Sequence, residues 1–218
     1  MKRNILLAVI IFISSCKTVP LTGRRGVDFI PDSQIQVLSF DQYQEVLKEN
    51  KLSSNQQWTS MVKTCGNRIK GAVEQYLKDA GNTQLTDGYE WEFNLLVDDI
   101  VNAWCMPGGK VAFYEGIMPV CHDEAGVAVV MGHEVSHAIA QHGSERMSQQ
   151  LAQQGLGMAL AVYASQKPEQ TRQLIMTSYA IGSQYAVLLP YSRLHESEAD
   201  ELGLYFMAMA GYDPREAP

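Results

Sequence analysis

Apolar residues recur every three or four positions along two early stretches of the chain, and that spacing predicts two amphipathic helices. The first, over residues 32–50, carries Ile35, Leu38, Tyr43, Val46 and Leu47 on one side, with Asp32 or Ser33 placed to cap it. The second, over residues 55–80, carries Trp58, Met61, Val62, Cys65, Ile69, Val73, Tyr76 and Leu77, and Gly81 suits its C-terminal stop. Stripes of this kind are expected to be core.

The period then shortens. Residues 91–97 and 101–105 are runs of β-branched and aromatic residues, and Pro107, Gly108 and Gly109 turn the chain into a further run over 110–114. A small, mainly antiparallel sheet is expected there. Helical spacing returns after Asp123, a fitting N-cap, and predicts a helix to about residue 150. Further helical segments follow over 156–165, 168–184 and 192–210. The apolar run at 156–164 is too short to cross a bilayer, which takes about 20 residues. The pattern as a whole predicts an α+β, mostly helical domain.

Composition narrows the class. With 218 residues and 46% hydrophobic content, the chain can bury one sizeable core, and no compositional shift calls for a second. A net charge of −7 with scattered lysines and arginines leaves no basic face for a phosphate backbone, so nucleic acid is excluded as a partner.

The N-terminus has the build of an export signal: Lys2 and Arg3, an apolar run over 5–13, then Ser14, Ser15 and Cys16. Residues 13–16 resemble a bacterial lipobox, which makes 1–15 a lipoprotein signal peptide and Cys16 the lipidated first residue. The expected location is the bacterial cell envelope, with the protein lipid-anchored to a membrane. Lys17 stands where an aspartate often retains bacterial lipoproteins at the inner membrane, which favours the outer membrane, facing the periplasm. Residues 16–31, rich in Pro, Gly and basic side chains, read as a tether, and residues 32–218 as the folded domain. Of the remaining cysteines, Cys65, Cys105 and Cys121, at most two can pair, and without a CxxC spacing they make no thiolate metal site.

Chemistry concentrates at His133, Glu134 and His137. On a helix the two histidines lie about 40° apart, so both imidazoles can reach one ion, while Glu134 stands about 100° away and can approach a bound water. This HExxH pattern is the zinc-site arrangement of metalloproteases, and Val127, Val129, Val130, Val135, Ala138 and Ile139 give its helix apolar flanks. A catalytic zinc site needs a third protein ligand. Gly143 occupies the position of the third histidine in metzincins and Ala140 that of their glycine, which excludes that class. His142, about 140° around the same helix from His137, is expected at the surface or behind the ligands.

The third ligand is sought among residues 192–200, and here the chain resembles a known family. The run Glu196, Ser197, Glu198, Ala199, Asp200, together with HExxH, is similar to the zinc metallopeptidases that include the HtpX heat-shock protease, the CAAX prenyl endoprotease and BepA-type periplasmic proteases. Asn102, Ala103 and Trp104, then Pro107 to Lys110, Gly116, Ile117 and residues 211–214 extend the resemblance over roughly residues 30–218. The resemblance implies a zincin-type (gluzincin) fold with the sheet beside the HExxH helix, and one zinc per chain held by His133, His137 and Glu196. It also implies Asp200 as support for a ligating histidine, Glu134 as general base, and a polypeptide substrate extended along the strand at Asn102, Ala103 and Trp104. Glu198 points away from that helix face.

The implied reaction is peptide-bond hydrolysis in envelope polypeptides that are misfolded or misassembled. His195, Arg193 and Tyr191 are candidates to face the developing oxyanion. The rival from another class is a non-catalytic lipoprotein assembly or chaperone-like factor with a structural or blocked zinc site. Glu134 argues against it, since a structural site needs no base. A prenyl-peptide protease would require several membrane-spanning helices. Related proteins continue beyond the last recognised segment, so further C-terminal sequence is expected.

Overall fold

A computed structural model describes residues 16–19 and 21–217. The signal-peptide reading of residues 1–15 and the lipidation of the Cys16 side chain lie outside the described residues. Helix α1 runs Asp32–Glu49 and α2 runs Gln56–Asp79. Pro31 precedes α1 and no side chain caps it, so Asp32 is the first helical residue rather than the cap. Asn55 does cap α2, accepting from Trp58 N at 3.1 Å.

Three strands follow: β3 (Glu92–Leu96), β4 (Ala103–Met106) and β5 (Lys110–Tyr114), numbered after an N-terminal hairpin of β1 (Cys16–Thr18) and β2 (Arg25–Val27). The sheet order is β3-β5-β4, which leaves β4 at an edge. β4 and β5 form the expected antiparallel hairpin, with Gly108 and Gly109 at φ +92° and +84° making a turn that L side chains resist. β3 pairs with β5 in parallel, so the sheet is mixed.

The remaining helices are a short α3 (Met118–Cys121), then α4 (Glu124–Ile139), α5 (His142–Ala164), α6 (Glu169–Ser183) and α7 (Leu189–Met209). A looser helical turn over Gln184–Leu188 joins the last two. Asp123 caps α4 through bonds from Ala125 N and Gly126 N at 2.9 and 3.1 Å. α4 is the centre of the domain. Its Val127, Met131 and Val135 share one buried cluster with Val62, Ile69 and Val73 of α2, Phe93 and Leu95 of β3, and Leu202 and Phe206 of α7. No helix of the described residues is long and apolar enough to cross a membrane.

Two expectations change. The helix read through to residue 150 breaks after Ile139, because Gln141 adopts a left-handed conformation at φ +60° and α5 starts afresh at His142. The segment read as a tether, 16–31, is folded back on the domain. Val19 is buried in the core, Phe29 N donates to Ser148 Oγ at 3.2 Å, and Arg24 forms ion pairs with Glu145 and Glu198. Among its described residues, Gly23 at φ +71° turns a tight hairpin and Arg24 enters a largely buried ion pair, rather than forming an extended spacer.

Candidate metal centre

The helix break and one close approach build the site. Gly132 on α4 and Gly203 on α7 touch: a Cβ added to Gly203 would lie 3.0 Å from His133 N. Without side chains at this crossing the two helices meet backbone to backbone, and Glu196 and Asp200, earlier on α7, come over the histidines of α4. His133 Nε2 and His137 Nε2 are 3.0 Å apart, and Glu196 Oε2 stands 3.4 and 3.6 Å from them. Ligand atoms of all three residues lie within 4.8 Å of one another.

The protons on these rings follow from their partners. His133 Nδ1 lies 2.8 Å from Asp200 Oδ1, a carboxylate that can only accept, so Nδ1 carries the hydrogen and Nε2 the lone pair. His137 Nδ1 lies 2.8 Å from His142 Nδ1, and His142 Nε2 lies 2.9 Å from Glu198 Oε2. Burial pushes both His137 and His142 towards the neutral form, His137 down to about 3. Neutral His142 therefore donates through Nε2 to Glu198 and accepts at Nδ1 from His137, which leaves the His137 Nε2 lone pair directed at His133.

With both rings neutral, two nitrogen lone pairs and a carboxylate oxygen converge there. They repel one another unless a cation joins them, and two imidazoles with one carboxylate suit zinc, whose bonds of about 2.0–2.2 Å can be reached from separations of this size. The residues fit the metal.

Glu134 lines the cleft beside them. Burial raises its carboxyl to about 7, with His133 opposing the shift and Glu196 adding to it. Two hollows flank the centre along β4. One, of about 430 Å³, is walled by Val129, Val130, Leu204 and Met207; the other, of about 420 Å³, by Trp104, Arg146 and Glu196. Asn102 and Ala103 line both, and Trp104 the second, so the predicted strand does border the site.

Other expectations fare differently. Of the two places expected for His142, the structure shows the one behind the ligands: it is fully buried and touches His137, the break at Gln141 having reoriented it. His195 is only 1% exposed, stacks on His142 at 4.2 Å and pairs with Glu145, and Tyr191 lines an apolar hollow between α5 and α6. Neither borders the cleft, so neither faces an oxyanion. Sequence reasoning missed Arg146, Glu145 and Arg24. A lone arginine after HExxH carries no motif, and the partners of Arg24 lie more than a hundred residues away.

Fold and site together define a metallopeptidase architecture: an HExxH helix, an acidic helix crossing it and an edge strand alongside. The model of peptidase family M48 matches residues 66–218, and the chain belongs to that family. It is 29% identical over 201 residues to the mitochondrial metalloendopeptidase OMA1 of Schizosaccharomyces pombe, covering 91% of this chain and 54% of that protein. To the Arabidopsis thaliana mitochondrial metalloendopeptidase OMA1 it is 39% identical over 136 residues, 62% of this chain and 26% of that one. It is also 25% identical over 131 residues to the beta-barrel assembly-enhancing protease of Escherichia coli strain K12, 59% of this chain and 27% of that one. The chain spans about half the length of the fission-yeast relative or less of the others. The similarity to mitochondrial OMA1 proteins overturns the bacterial outer-membrane location expected from the N-terminus. A short apolar run before a cysteine does not carry a location by itself.

Proposed function

We propose that this chain is a zinc-dependent endopeptidase that hydrolyses peptide bonds in polypeptides lying extended along the edge of β4. One observation carries the reading: three lone-pair-bearing ligand atoms, from His133, His137 and Glu196, meet in a cleft that also holds the Glu134 carboxyl and an edge strand.

His133, His137 and Glu196 would hold the zinc. When bound, zinc supplies Lewis acidity, polarising the scissile carbonyl and acidifying water. Glu134 takes the proton of the attacking water and passes it to the leaving nitrogen; a carboxyl that burial holds near 7 can do both at neutral pH. Asp200 fixes the His133 ring, so its Nε2 stays available. The edge of β4 binds main chain through strand pairing, which orients the scissile bond with little regard for side chains. Such recognition suits misfolded or misassembled proteins, in keeping with the name of the assembly-enhancing relative.

The test uses the zinc-loaded chain and an unfolded substrate such as casein. Wild type cleaves it, and Glu134→Gln retains zinc while losing about 10²–10⁴-fold in rate, the usual worth of a general base. Equal rates in the two proteins refute the assignment.

A further inference from the structure

We propose that Arg24 is a positioning residue for the metal centre: through Glu198 and His142 it holds His137 in the tautomer and orientation that turn its Nε2 lone pair on the metal. The inference rests on the reading of His133, His137 and Glu196 as metal ligands.

The connection is a chain of direct contacts. Arg24 Nε donates to Glu198 Oε2 at 2.6 Å, and Thr22 Oγ1 donates to Glu198 Oε1. The far side of the same guanidinium meets Glu145 with both Nη atoms, at 3.1 and 2.7 Å. Glu145 Oε2 lies 3.1 Å from His195 Nε2, and His195 stacks on His142 with ring planes 16° apart. The loop closes on itself: Arg24, Glu198, His142, His195, Glu145 and back to Arg24. His142 links it to a metal ligand, from Nδ1 to Nδ1 of His137.

Each link has one physical job. A carboxylate can only accept, so a Glu198 held in place by Arg24 and Thr22 obliges His142 to carry its hydrogen on Nε2. A neutral His142 then offers a lone pair at Nδ1, so the 2.8 Å contact between the two Nδ1 atoms has His137 carry its own hydrogen there. A rotated Glu198 would release both rings. Stacking on His195 and full burial remove the alternative of a water partner for His142. At Nδ1, His133 has its own carboxylate in Asp200, whereas His137 meets His142 and through it Glu198.

The guanidinium suits the task because its planar fork can serve two carboxylates at once, which a lysine ammonium does less well. It comes from the β1–β2 hairpin, ahead of the region that the family model matches at 66–218, so the support of one ligand is supplied from outside that region.

The test measures zinc dissociation constants of the full chain by chelator competition, and the imidazole tautomers of the metal-free chain by ¹⁵N NMR. Wild type is expected to show His137 protonated at Nδ1 and His142 at Nε2. Arg24→Met should weaken zinc about 10–100-fold and mix the two tautomers, the range seen when outer support of a ligand is lost. Arg24→Lys should fall between, and Arg68→Met, which removes an ion pair with Glu124, should leave zinc affinity unchanged. Wild-type affinity and tautomers in a folded Arg24→Met protein overturn the proposal. Should that variant fail to fold, Arg24→Lys and Thr22→Val decide: each must weaken zinc, and unchanged affinity in both overturns it. A wild-type chain that binds no zinc refutes the metal reading instead, a distinct result.

Discussion

Gly132 and Gly203 stand so close that a Cβ on Gly132 would lie 2.8 Å from the Gly203 carbonyl oxygen, and one on Gly203 would crowd the α4 backbone at 3.0 Å. This contact sets how far the acidic helix is from the histidines. Gly203→Ala should push α7 off α4, costing about 1–3 kcal/mol as overpacking does, and should carry Glu196 away from its partners. Thermal unfolding and zinc titration check it; a variant as stable as wild type with full zinc affinity contradicts it.

Zinc binding should itself stabilise the fold. A ligand bound only by the native state, at a hundred times its dissociation constant, adds about 2.7 kcal/mol. Wild type and Glu134→Gln should both show this gain in chemical denaturation with added zinc. His137→Ala should not, and a full gain in that variant would remove His137 from the ligand set.

Acid should loosen the hairpin's attachment. Burial alone would raise the Glu145 carboxyl, but the His195 ring 3.1 Å away and the hydrogen bonds from Arg24 outweigh it and hold it at about 2, against an ordinary 4.5. A carboxyl lowered on folding contributes stability that is present above its unfolded value and lost as pH falls through its folded one. The metal-free chain should therefore lose stability between pH 4.5 and 2. Glu145→Gln should be less stable at neutral pH and show a shallower acid slope; a slope equal to wild type counts against the pairing.

Arg146 gives the cleft a charge preference. It is exposed, lines the hollow beside Trp104, and its field reaches both Glu134 and His137. Peptides with an acidic residue on that side of the scissile bond should be cut faster, by up to about fivefold, the size of an exposed ion pair. The preference should shrink with salt and reverse in Arg146→Glu. Cleavage of matched acidic and basic peptides decides it.

Period and spacing made the helices at 32–49 and 56–79, the β4–β5 hairpin and the HExxH helix legible, because each is specified by residues close in sequence. Glu196 and Asp200 were legible through a family resemblance, and their approach to His133 depends on a glycine contact that no local pattern announces. The left-handed turn at Gln141 was not legible, since glutamine is no usual occupant of that conformation. Nor was the loop of Arg24, Glu145, Glu198 and His195. Arg24 and Glu145 carry no motif, Glu198 and His195 were read for other roles, and the pairing forms only when the chain returns from far away.

The edge of β4, which pairs with no further strand among the described residues, has one more consequence. A visiting segment can pair there only if its own amides and carbonyls are not already committed to a helix or sheet of its own. On the proposed reading foldedness would work as immunity: intact neighbours would be passed over because their backbones are spoken for, whatever their sequence, and the same protection would extend to this molecule's own helices for as long as they hold together.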